Sequence, residues 1–180
     1  MPSVNFVGEI ESAYADEAAT ISINWGILPG NRAWTLRSGE ATGETHVATG
    51  EDGGSIPLNH PVDCFYETSS TEGWPFFIVE VWEKSEIGAR NFVGCGSAWL
   101  PMKSGAQVMD INIWKPSPSD TTTEYLSEAL LPTVPDLKAL REVLVNPYLH
   151  SKLKTYSTGD VRVNLTVALA GFEAHGVDLC

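Results

Sequence analysis

Residues 76–82, Phe-Phe-Ile-Val-Glu-Val-Trp, constrain this chain more than any other stretch. β-Branched and aromatic residues dominate the run, which favours a strand. Strand geometry sends alternate side chains to opposite faces. Phe77, Val79 and Val81 therefore share one face; Trp74, Phe76, Ile78 and Trp82 share the other, interrupted only by Glu80. A second apolar run, Asn91 to Pro101, follows a polar loop with Gly88 at its middle, so the pair reads as neighbouring strands of one sheet. A strand apolar on both faces needs cover on both. If Phe77, Val79 and Val81 are core, the row Trp74, Phe76, Ile78 and Trp82 is an outer face. Left bare it would be a patch of several hundred Å2, large for a soluble monomer. The row is therefore the candidate partner-binding surface, with Trp74 and Phe76 nearest its rim.

The rest of the chain follows the same period. Ser3 to Ile10 and Thr20 to Trp25 alternate, separated by a small acidic connection. Trp34 to Leu36 is a short strand, and Gly39 to Gly54 is a glycine-rich loop with at most a short strand near Val47. Ile56 to Glu67 reads as a strand broken at Pro61, because proline cannot donate to a ladder. Gln107 to Trp114 alternates, and Asp160 opens the cleanest strand. There Val161, Val163, Leu165, Val167 and Leu169 point one way and Arg162, Asn164, Thr166 and Ala168 the other. About eight strands with turns between most of them predict an all-β, antiparallel sandwich.

One segment departs from this period. Thr121 with Glu124 forms a capping-box pattern, and Tyr125, Leu126, Ala129 and Leu130 follow at helical spacing. Leu137, Leu140 and Leu144 mark a second helical stripe that ends before Pro147. A helical insertion at about 117–150, before the last strand, is expected, and it competes with a partner for cover of the outer row. The 180 residues suit one domain, 1–180.

Charge narrows the partners. Eleven Lys and Arg against 23 Asp and Glu give a net charge of −12. Nucleic acid and anionic membrane both require clustered basic residues, and none stands out. No stretch reaches the 18 or so apolar residues of a membrane span, and no signal peptide is expected before the first strand. Cys64, Cys95 and Cys180 have no paired spacing and read as two buried thiols and one terminal one.

At the central pair the chain resembles the C2-type β-sandwich: Val81-Trp82, a loop, Asn91-Phe92-Val93-Gly94, then a strand ending in Leu100-Pro101. Calcium-dependent members of that superfamily carry aspartates at three loop positions, which here are Glu83, Ser85 and Asn91. The spacing is kept and the ligands are not, so no metal and no cofactor are expected. A wider set of residues is similar to the B9 domain family of the ciliary transition zone. It includes Gly8-Glu9-Ile10, Trp25-Gly26-Ile27, Trp34 with Ser38-Gly39, His60-Pro61-Val62-Asp63, Gly73-Trp74-Pro75, Trp114-Lys115-Pro116 and the ending Gly176 to Cys180. The resemblance implies a non-catalytic structural subunit on the cytoplasmic side of the cilium base (transition zone, basal body, axoneme). It also implies other B9-domain proteins and Meckel-syndrome complex subunits as partners, in support of ciliogenesis and the membrane diffusion barrier. A peripheral phospholipid-binding C2-like module, with weak membrane association, is the alternative; the scarcity of Lys and Arg argues against it.

Catalytic chemistry finds little support. No Gly-x-Ser-x-Gly turn is present, and His60 before Pro61 reads as structural. His46, His60, His150 and His175 are scattered singly, without metal-ligand spacing. Gly94 and Gly96 lack the ending of a phosphate loop and read as sites of a bulge or of close strand packing.

Overall fold

The computed structural model describes residues 1–16, 18–51, 53–85, 88–116 and 155–176. Ten strands are present among them: β1 Ser3–Ala15, β2 Thr20–Leu28, β3 Trp34–Gly39, β4 Thr42–Glu44, β5 Ala48–Thr49, β6 Ile56–Thr68, β7 Phe76–Lys84, β8 Arg90–Trp99, β9 Gly105–Pro116 and β10 Thr155–Ala170. The expected eight become ten because the glycine-rich loop contributes two short strands, β4 and β5. The one helical turn among the described residues is a 3-10 turn at Glu173–His175. The helical insertion expected at about 117–150 lies outside the described residues.

All pairings are antiparallel, in the order β3-β6-β1-β10-β9-β8-β7-β2-β4, with β5 also on β2. Two residues, Glu40 and Ala41, tie the ends of this order together. The Glu40 amide donates to the Asp63 carbonyl of β6 at 3.0 Å, and the Ile27 amide of β2 donates to the Ala41 carbonyl at 2.7 Å. The sheet therefore curls back and encloses one core between its inner faces.

The inner rows follow the alternation. Phe77, Val79 and Val81 of β7 are fully buried in the core, together with Ile21, Ile23 and Ile27 of β2. On the opposite wall Phe6 pairs with Val167 and Ile10 with Val163. Val161, Val163, Leu165 and Val167 are all buried, and Leu169 packs at the margin. Burying each such side chain contributes roughly 1.5–3 kcal/mol gross.

Three local expectations are corrected. β1 runs on to Ala15 rather than stopping at Ile10, because Ser12 to Ala15 pair with β10 beyond a register shift. β6 is continuous through Pro61. β3 reaches only from Thr68 to Cys64, so Pro61 pairs on the β1 side alone, opposite Glu9. A missing N–H is tolerated at such an edge. The irregularity falls instead at Asn59, whose φ of 47° is left-handed, where the register moves from Ile10↔His60 to Ser12↔Pro57.

The third correction is Trp74. It precedes β7 and turns into the core instead of joining the outer row. Gly73, with φ of 67°, and Pro75 shape that turn. The indole lies edge-on to Phe6 and Trp34 and donates from Nε1 to the Leu100 carbonyl at 2.9 Å. Alternation does not apply to a residue that lies ahead of the strand.

Candidate functional site

The row singled out from the sequence is buried: Trp74 is 2% exposed, Phe76 4%, Ile78 0% and Trp82 8%. Trp74 belongs to the core, whereas Phe76, Ile78 and Trp82 lie on the other face of β7. Among the described residues, the ring neighbours of Phe76 and Trp82 come from the paired strand β8. Phe76 meets the ring of Trp99 at 5.5 Å, and Trp82 meets Phe92 at 5.3 Å with the Arg90 guanidinium 5.1 Å from its centroid. Glu80 is buried between them, and one of its oxygens accepts from Asn24 Nδ2 at 3.3 Å and Trp82 Nε1 at 3.4 Å. Exposure moves one strand over, to Trp99, which is 66% exposed.

Glu83, Ser85 and Asn91 close the β7–β8 loop on itself. Asn91 Nδ2 donates to Glu83 Oε2 at 3.1 Å, and the Ala89 amide donates to Ser85 Oγ at 3.1 Å. The Ser85 amide and the Ala89 carbonyl complete the turn at 2.9 Å. The polar groups at these positions hold the loop rather than converge on a common point.

Beside this loop the structure holds a cavity of about 290 Å3. Two β-bulges build it. In β8 the register passes from Val81↔Gly94 to Trp82↔Phe92, leaving Val93 as the extra residue. In β10 it passes from Ser157↔Trp114 to Gly159↔Ile113, leaving Thr158 as the extra residue. A bulge re-aims a side chain at the edge of a ladder, and both extra residues line the cavity. Gly94 lets them approach, since a Cβ there would collide with the Thr158 hydroxyl. Charge comes from the walls: Asp16 after β1, Glu83 at the end of β7 and Lys115 near the end of β9. The Asp16 amide donates to the Thr158 carbonyl at 2.8 Å, and the Tyr14 hydroxyl donates to the Asp16 carboxylate, which raises the phenol pKa.

Of the residues proposed from the sequence, only Glu83 and Asn91 line this cavity; Asp16, Val93, Lys115, Tyr156 and Thr158 were missed. The available signal was a glycine directly after each bulged residue, Gly94 after Val93 and Gly159 after Thr158. Gly94 does serve both a bulge and close packing, as its spacing suggested.

Nucleophilic chemistry is poorly served. Burial, with Asp63 and Glu40 nearby, pushes the Cys64 thiol up to about 12, and its Sγ donates to the Glu40 carbonyl at 2.6 Å. Burial followed by Glu80 pushes Cys95 higher still. A protonated thiol is a weak nucleophile. His60 lies edge-on to Trp25 at 5.8 Å, and burial lowers its pKa, with His46 adding to the effect.

Comparison with known proteins gives a consistent result. B9 domain-containing protein 2 of Bos taurus is 29% identical over 178 residues, covering 99% of each chain. The human protein of that name is 28% identical over the same span. B9 domain-containing protein 1 of Drosophila melanogaster is 27% identical over 143 residues, 76% of this chain and 55% of its own. The family model described as ciliary basal body-associated, B9 protein matches residues 4–168. The chain therefore belongs to the B9-C2 family.

Proposed function

We propose that this chain is a non-catalytic subunit of the protein assembly at the ciliary transition zone. In this reading residues 1–180 form one C2-like domain on the cytoplasmic side of the cilium base. It binds other B9-domain proteins and Meckel-syndrome complex subunits, and so supports ciliogenesis and the diffusion barrier. The observation that carries the reading is the end-to-end correspondence with B9 domain-containing protein 2, over 99% of both chains. Geometry supports it: the polar side chains of the β7–β8 loop are engaged with one another, and the described thiols are held protonated. The charge of −12 favours a basic protein surface over an anionic membrane. Trp99 supplies an exposed aromatic of the kind that anchors protein interfaces.

The test is expression of the tagged full chain in ciliated cells. Fluorescence at the base of the cilium, with other B9-domain proteins recovered on purification, is the expected result. A diffuse distribution with no B9-domain protein recovered contradicts the reading.

A further inference from the structure

We propose that the cavity between the Val93 and Thr158 bulges receives an arginine side chain from a basic segment of a protein partner. The inference rests on the assembly reading and supplies the chemistry of one contact within it. Size comes first. At about 290 Å3 the cavity lies at the lower limit of small-ligand pockets, which suits one long side chain and not a nucleotide or a lipid headgroup with its chains.

Charge and hydrogen-bonding capacity select among side chains. Asp16 and Glu83 set two carboxylates against the one ammonium of Lys115. Glu83 spends one oxygen on Asn91 and keeps the other available. Ser157 Oγ donates to Asn112 Oδ1 at 2.8 Å, so what it offers the cavity is lone pairs. The Thr158 hydroxyl does not add to them. Thr158 is 8% exposed, and its Oγ1 has no hydrogen-bond partner among the described residues. That hydroxyl is sealed beside Gly94 and is not itself presented to the cavity, so the acceptors in reach are those of Asp16, Glu83 and Ser157. The site thus offers mainly acceptors, which suits a side chain made only of donors, ammonium or guanidinium, the latter with five in one plane.

Shape separates arginine from lysine. Phe92 and Val93 give the cavity an apolar wall, and Phe92 is fixed edge-on against Trp82. A planar, weakly hydrated guanidinium packs on an aromatic wall while its edge reaches carboxylates; a compact ammonium keeps its water. Asp16, Lys115 and Tyr156 are at strand ends on one rim of the sheet.

The test uses the full chain, labelled with 15N, titrated with N-acetyl-argininamide and, separately, with the neutral citrulline analogue. Saturable shifts at Val93, Ser157 and Thr158 with the arginine probe, and none with citrulline, are expected. The isosteric pair Asp16→Asn with Glu83→Gln, checked for an unchanged amide spectrum elsewhere, should weaken that binding by about fivefold or more, as partly exposed charge pairs do. Equal response to citrulline, non-saturating shifts scattered over acidic side chains, or a preference for N-acetyl-aspartamide, which would select Lys115, overturns the proposal. Co-purification separates its failure from that of the assembly reading. If the wild type and the double variant recover B9-domain partners equally, the cavity is not the contact and the assembly reading stands. If the wild type recovers none, the assembly reading fails, and the titration still decides what the cavity binds.

Discussion

Trp74 is the residue on which the sequence reading and the structure differ most. Its neighbours in the sequence suggest an outer aromatic row, yet a left-handed Gly73 and Pro75 swing the indole inward, against Phe6, Trp34 and Phe172. Trp74→Ala should therefore behave as a core truncation, costing about 3–5 kcal/mol. At roughly 2–4 °C per kcal/mol for a domain of this size, melting should fall by about 10 °C. A thermal melt checks this; a shift of only a degree or two would return Trp74 to the surface. His60 makes a second prediction at this scale. Its folded pKa lies below the ordinary 6.5, chiefly through burial. The unfolded chain then binds the proton more readily, so the contribution to stability is present above pH 6.5 and is lost as the pH falls through the lower folded value. Denaturant midpoints of wild type and His60→Asn should lie furthest apart above pH 6.5 and draw together as the pH falls below it; a gap that widens on acidification would contradict the assignment.

At the scale of elements, strands with clean alternation were legible and irregularities were less so. β7 and β10 declare their inner rows through Phe77, Val79, Val81 and the run from Val161 to Val167, and the structure buries these together. Gly94 marked one bulge in the sequence, but Val93 and Thr158 are themselves ordinary strand residues, and only tertiary register shows which residue is extra. The cavity was therefore invisible in the sequence even though two of its walls, Glu83 and Asn91, had been singled out for a different reason. β10 pairs with β1 on one side and β9 on the other. Removing residues from 160 onward strips both partners of their ladder and should give insoluble or unfolded protein. A truncated chain that melts cooperatively as a monomer would show β10 to be dispensable. The β7–β8 loop yields a prediction of the opposite kind. Calcium takes six to eight oxygen ligands, with affinity set largely by carboxylate number. Glu83 is the one charged group of the three inherited positions, and it is already bonded to Asn91. Calorimetric titration with calcium should show no binding heat. A dissociation constant below about 100 µM would sink this account of the loop.

On the scale of the whole molecule, the described residues form a curled ten-stranded sheet with an exposed Trp99 and a cavity on one rim, in a chain of net charge −12 whose relatives carry the B9 name from end to end. The all-β, antiparallel class was legible because period-two patterning recurs along most of the chain. The strand count was less so, because β4 and β5 span only three and two residues. Family membership emerged from an ordered set of short signatures, none specific alone. The central functional claim is that this domain works by holding another B9-domain protein. The most direct measurement is size-exclusion chromatography with light scattering on the purified full chain, mixed with purified B9 domain-containing protein 1 from the same cells. At roughly 10 µM of each, well above the dissociation constants of stable complexes, the account predicts one co-eluting species whose mass contains both chains. Two separate peaks, each at its own mass across the concentration range, would contradict it.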